Sequence, residues 1–133
     1  EVFAFADGVV FSKGINPEAG SYGPTIITEH NLPIPTAVGA MELGIAQKFW
    51  VLHGHLSTES LEMVEPGQAI TKGQNIAKIG NESENGGWPP HVHIQLSLVE
   101  PIGNDLPGVV KLSERVEALK IYLDPRLIIG QIY

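Results

Sequence analysis

Apolar residues recur along this chain in short runs of period two, separated by Gly, Pro and Asn, which is the pattern of antiparallel β structure. Residues 2–11 alternate around Asp7-Gly8, which supplies turn chemistry ahead of Val9-Val10-Phe11, and this predicts a hairpin. A Gly- and Pro-rich stretch, residues 14–24, reads as a loop before the β-branched run Thr25-Ile26-Ile27-Thr28, which ends at Glu29-His30. Residues 31–44 hold two prolines and two glycines, and they read as a long excursion before Phe49-Trp50-Val51-Leu52. Residues 60–64 suit a short helical turn. The phrase Gly-Gln then occurs at 67–68 and again at 73–74, which predicts two turns bracketing very short strands.

Residues 91–98 show the cleanest alternation in the chain: Val92, Ile94, Leu96 and Leu98 on one face, His91, His93, Gln95 and Ser97 on the other. From Leu112 to Leu123 the spacing changes to a helical one, with apolar residues at 112, 116, 119 and 123, and it stops before Asp124-Pro125. The reading is a mainly β domain, an antiparallel β sandwich or half-open barrel with one short C-terminal helix. Residues 1–110 form the β domain, and residues 111–133 form a helix and a linker toward a following domain.

With 133 residues the chain has the length of one domain, and 43% hydrophobic against 17% charged residues is a globular balance. No apolar run approaches the roughly 20 residues that cross a bilayer, so no membrane partner is expected. A formal net charge of −7 leaves no basic footprint for nucleic acid. The chain has no cysteine, so there is no disulfide framework and any metal must be held by His, Asp or Glu. Residues 1–5 show no basic segment followed by an apolar run and a cleavage site, so no signal peptide is read there.

Four of the five histidines lie in His-x-His pairs, His53/His55 and His91/His93, a spacing that sets two imidazoles on one side of a strand. Such pairs suit metal ligation or proton transfer, although a polar strand face and a strand-end turn are also ordinary surface features. His30, at the end of its strand, reads as a structural ring hydrogen-bonded to a neighbouring loop. Asp7 and Asp105 read as turn and loop residues. The twin Gly-Gln phrase also occurs in biotinyl- and lipoyl-type carrier domains, but Lys72 lacks the residues that flank a modified lysine there, and that reading leaves the histidine pairs unexplained.

Three stretches together resemble the lysostaphin/LytM-type zinc endopeptidases: Ala6-Asp7-Gly8-Val9-Val10, His53-Gly54-His55-Leu56-Ser57, and Pro90-His91-Val92-His93-Ile94. Tyr22-Gly23 to His30 and residues 64–80 resemble further segments of the same family, in the same order. The resemblance implies that His93 is a zinc ligand and that His55 and His91 handle protons on the attacking water and stabilise the oxyanion. His53 stands where the family usually has tyrosine, and so reads as an accessory polar group. The implied substrate is a peptide bond. The family's His-x-x-x-Asp motif lies upstream of the segment matching Val2, so two of three zinc ligands are not in this sequence. A fragment of an enzyme is the preferred reading; a catalytically inactive β module that binds a peptide, a metal or a neighbouring domain is the alternative. Residues 85–91, 104–109 and 123–130 also resemble the version of this module fused to phosphotransferase and class-III aminotransferase domains. That version implies a cytoplasmic location, and otherwise the family implies the bacterial cell envelope or secretion.

Overall fold

A computed structural model describes residues 1–130; residues 131–133, the end of the expected linker, lie outside the described residues. Seven strands form: β1 Val2–Phe3, β2 Gly8–Asn16, β3 Gly23–Pro35, β4 Leu43–Gly54, β5 Ala69–Ile70, β6 Asn75–Ala77 and β7 His93–Ser97. They build a five-stranded sheet in the order β5-β2-β3-β4-β7 and a two-stranded sheet of β1 and β6. Every pairing is antiparallel, in line with the sequence pattern. A 3-10 turn spans Thr58–Glu62, and two short helices follow the sheet, α1 Arg115–Ile121 and α2 Arg126–Ile129.

The expected hairpin over residues 2–11 is not formed. β1 pairs with β6, whereas β2 pairs with β3 and β5, so residues 4–7 carry the chain from one sheet to the other. Asp7 serves this crossing instead of a tight turn: its Oδ1 accepts the Lys72 amide at 2.8 Å, and its carbonyl accepts the His30 ring Nδ1–H at 2.9 Å. His30 is buried and bonded as a structural histidine, as its position suggested. The two Gly-Gln turns form and are built alike. Gln68 and Gln74 each fold back so that the side-chain oxygen accepts the amide three residues earlier, at Glu65 (2.9 Å) and Thr71 (3.1 Å).

Two expected loops are shorter than the sequence suggests, because strands run into both. β2 runs through Asn16 and β3 starts at Gly23, leaving only residues 17–22 as the connection. Likewise β3 continues to Pro35 and β4 starts at Leu43, so only residues 36–42 connect the arms of a long hairpin. Pro33 is tolerated there because the pairing with β4 is irregular between Pro33 and Pro35, where the hydrogen-bond ladder is already interrupted.

The central sheet has two covered faces. One carries Ile26, Val51 and Phe49 and packs on the small sheet, the 3-10 turn and, farther along, on Leu127 and Ile128 of α2. The other carries Ile27, Trp50 and Leu52, buried together with Tyr22 and Leu106. Ser97, on the alternating polar face of β7, is fully buried here, and residues 103–109 cross this face of the sheet as a strap. Ser12 Oγ donates to the Gly103 carbonyl at 2.7 Å at one end of the strap, and Gln95 Nε2 donates to the Pro107 carbonyl at 3.0 Å at the other. The predicted C-terminal helix is present, but Leu112, Val116 and Leu119 point to solvent, and only Leu123 of that stripe packs on the core.

Candidate active site

β4 ends at Gly54, which pairs with His93 of β7. A side chain at position 54 would project toward the strap face, and a Cβ there would lie only 3.1 Å from Tyr22 Cδ1. The glycine leaves that space to the Tyr22 ring, whose centroid sits 4.9 Å from that of His93.

His55 follows with φ of 59°, the left-handed region, the one non-glycine among the described residues to adopt it. Its amide donates to the Tyr22 carbonyl at 2.7 Å. This turn brings the His55 ring to His93, the first residue of β7, and to His91 just ahead of that strand, with centroids 5.9 Å and 4.6 Å away. His53, two residues earlier, behaves differently. It is still in the regular ladder opposite Ile26, on the face that packs on the small sheet, where its Nδ1–H donates to the Ile26 carbonyl at 3.3 Å. The structure therefore brings His55, His91 and His93 together and leaves His53 on the other side of the sheet. The i, i+2 spacing misled here because β4 stops being a strand between its two histidines.

The hydrogen bonds fix two tautomers. His55 Nδ1 lies 2.9 Å from the Asn85 carbonyl, and His91 Nδ1 lies 2.6 Å from the Pro89 carbonyl. A carbonyl oxygen can only accept, so both rings carry hydrogen on Nδ1 and leave an Nε2 lone pair in the neutral state. Burial holds the His55 imidazolium below the usual range, only partly offset by the Asn85 carbonyl, and the neighbouring His91 lowers it further. Burial also lowers His93, and His55 adds to the effect. Neutral imidazoles are the form that accepts a proton or binds a metal.

Asn85 organises one wall. It is fully buried; its Nδ2 donates to the Gly80 and Trp88 carbonyls (3.2 and 2.8 Å), and its Oδ1 accepts the Trp88 amide at 2.9 Å. One residue thus holds the loop of residues 80–90, places Trp88 and, through its own carbonyl, orients His55. On the opposite side the Tyr22 hydroxyl donates to Gln95 Oε1 at 3.1 Å, and Gln95 in turn holds the strap at Pro107. Burial raises the Tyr22 phenol, and the nearby Asp105 carboxylate adds to that rise. Between these walls lies a groove of about 660 Å³, floored by the three histidines, with Trp88, Tyr22 and Asp105 among its lining residues. Its size and mixed lining are those of a ligand site.

Residues 1–103 match the sequence model of Peptidase family M23. The chain belongs to that family. No curated protein matches it, and no solved structure does.

Members of Peptidase family M23 are metallopeptidases, and this chain has their β fold and a histidine-floored groove. Among the described residues, however, no three His, Cys, Asp or Glu side chains converge so as to hold a metal ion. A catalytic zinc takes three protein ligands and an open position, so the described residues do not complete a zinc site by themselves. The sequence marked the histidines by their spacing, whereas Asn85, Gln95 and the strap carried no comparable signal. Asn85 acts through its backbone and a buried amide, and the strap reaches the groove from far along the chain.

Proposed function

We propose that the groove is the substrate-binding and proton-handling side of a zinc endopeptidase site that hydrolyses a peptide bond. The observation that supports this most directly is the grouping of His55, His91 and His93, with the two proton-handling rings fixed as Nδ1–H tautomers. In this reading His93 is the metal ligand of this chain, and the other two donors come from a His-x-x-x-Asp segment joined ahead of Glu1. Zinc, when bound, lowers the pKa of a coordinated water and polarises the substrate carbonyl.

The roles of this chain's own residues follow from their hydrogen bonds. The His55 and His91 rings, 4.6 Å apart between centroids, each keep an Nε2 lone pair that can take a proton from water and return it to the leaving amine. The Asn85 and Pro89 carbonyls stabilise each imidazolium as it forms, because each accepts a hydrogen bond from the protonated ring. Tyr22 and the strap bound the groove in which the scissile bond would lie. In this reading His53, on the opposite face of the sheet and bonded to the Ile26 carbonyl, has a structural role and not the accessory one expected from sequence.

We further propose a longer protein as the setting of this module, with neighbouring phosphotransferase and aminotransferase domains read from the resemblance of residues 85–91, 104–109 and 123–130 and a cytoplasmic location following from them. The catalytic reading is tested by peptide hydrolysis. A zinc-loaded chain extended upstream through its His-x-x-x-Asp segment should cleave glycine-rich peptides, and His55→Ala or His91→Ala should lower kcat by roughly 10²–10⁴-fold while zinc stays bound. Zinc-loaded protein that cleaves no peptide, or variants of undiminished activity, would contradict it.

A further inference from the structure

The groove carries a charge that proton transfer does not use. Its lining residues include one carboxylate, Asp105, and no lysine or arginine. Asp105 is exposed and forms no ion pair among the described residues, whereas Lys13, Lys48, Lys78, Lys120 and Arg126 are each engaged with other carboxylates.

This carboxylate is held in place. Asp105 Oδ1 accepts the Leu106 amide at 2.9 Å, and Leu106 itself is buried under the strap. On the preceding side, Asn104 and Asn16 exchange hydrogen bonds, Asn16 Nδ2 to the Asn104 carbonyl at 3.2 Å and Asn104 Nδ2 to Asn16 Oδ1 at 3.3 Å. Gly14 lies beneath Asn104 so closely that a Cβ there would come within 2.8 Å of its side chain. Asp105 is thus fixed on both sides with Oδ2 free to accept, near Tyr22 and in the same groove as Trp88.

We propose that the groove selects peptides bearing a primary ammonium, which pairs with Asp105 while the aromatic residues contact its alkyl chain and charge. A bare metal ion is a poor match for one carboxylate in a groove of this size, whereas an organic cation uses both the charge and the aromatic walls. The overall charge of −7 favours the encounter of a cationic peptide. The proposal rests on the reading of the groove as a peptide site and names the substrate class that it prefers.

The test is a titration of the isotopically labelled chain, followed by amide chemical shifts, with acetyl-Gly-Gly-Lys-amide and with its norleucine counterpart, which keeps the alkyl chain and lacks the ammonium. The lysine peptide should bind about fivefold more tightly at low salt, the range of an exposed ion pair together with an aromatic contact. Shifts should centre on Tyr22, Trp88 and Asp105, and the advantage should shrink in high salt. Asp105→Asn, which keeps the acceptor for the Leu106 amide, should bind both peptides equally. Equal affinities in the unsubstituted chain, a lysine advantage that survives Asp105→Asn, or saturable binding of neither peptide would overturn the proposal. Neither zinc nor cleavage enters this readout. A failure to take up zinc would count against the peptidase reading alone, and a missing lysine preference would count against the ammonium subsite alone.

Discussion

The ring of His55 and the carbonyl of Asn85 are joined by a 2.9 Å hydrogen bond that spans thirty residues of sequence, tying the end of β4 to the loop that precedes His91. Both groups are buried, so the bond is retained in a site of low local dielectric, where it orients the ring. The same asparagine holds Trp88 through two hydrogen bonds, which makes it the common support of His55 and the aromatic wall.

Asn85→Ala removes three side-chain hydrogen bonds and leaves the Gly80 and Trp88 carbonyls short of a partner. The expected loss is about 2–3 kcal/mol of stability, read from the urea midpoint, with the largest amide shifts in residues 80–91. A change below a few tenths of a kcal/mol would mean that the loop holds itself.

The left-handed backbone at His55 separates two variants that both lose the ring. His55→Gly should be more stable than His55→Ala by about 1 kcal/mol, because only glycine adopts that conformation without a steric cost. Equal stability in chemical denaturation would show that the turn relaxes once the imidazole is gone.

His53 makes stability depend on pH. Its burial, together with the nearby His30, pushes it down from 6.5 to about 4, against a smaller opposing effect of the Ile26 carbonyl. The folded state keeps this ring neutral while the unfolded chain protonates it, so the unfolded state binds more protons as pH falls. Stability is therefore full above pH 6.5, falls between pH 6.5 and about 4, and loses about 3 kcal/mol from this group across that window. His30, His55 and His93 are shifted the same way, so the test is a comparison: His53→Leu should show a shallower decline of the unfolding free energy over that window. Parallel profiles would contradict the assignment.

Much of this was legible in the sequence because period-two alternation survives wherever a strand has one buried face. β7, the Gly-Gln turns and the structural role of His30 follow from local pattern and side-chain type. What was not legible depended on partners distant in sequence. The Asp7-Gly8 pair looks like a hairpin turn, yet Lys72 and His30 recruit Asp7 to a crossing between sheets. His53 and His55 have matched spacing, but the positive φ at His55 sends them to opposite faces. Prolines and glycines at 31–44 suggested a loop throughout, while β3 carries Pro33 and Pro35 at an irregular pairing and only residues 36–42 form the connection. Ser97 belongs to an alternating polar face by sequence, yet it is buried in the structure, where the strap and Tyr122 come over this part of the sheet.

The central claim is that His93 is the metal-binding residue of an imidazole-floored peptidase groove. It is tested most directly by zinc titration calorimetry on the chain extended upstream through its His-x-x-x-Asp segment, alongside its His93→Ala variant and the 133-residue chain itself. The extended protein should bind one zinc tightly, His93→Ala should weaken that binding by several orders of magnitude, and the 133-residue chain should bind weakly. Zinc binding by the extended protein that is unaffected by His93→Ala, or no binding at either length, would contradict the claim.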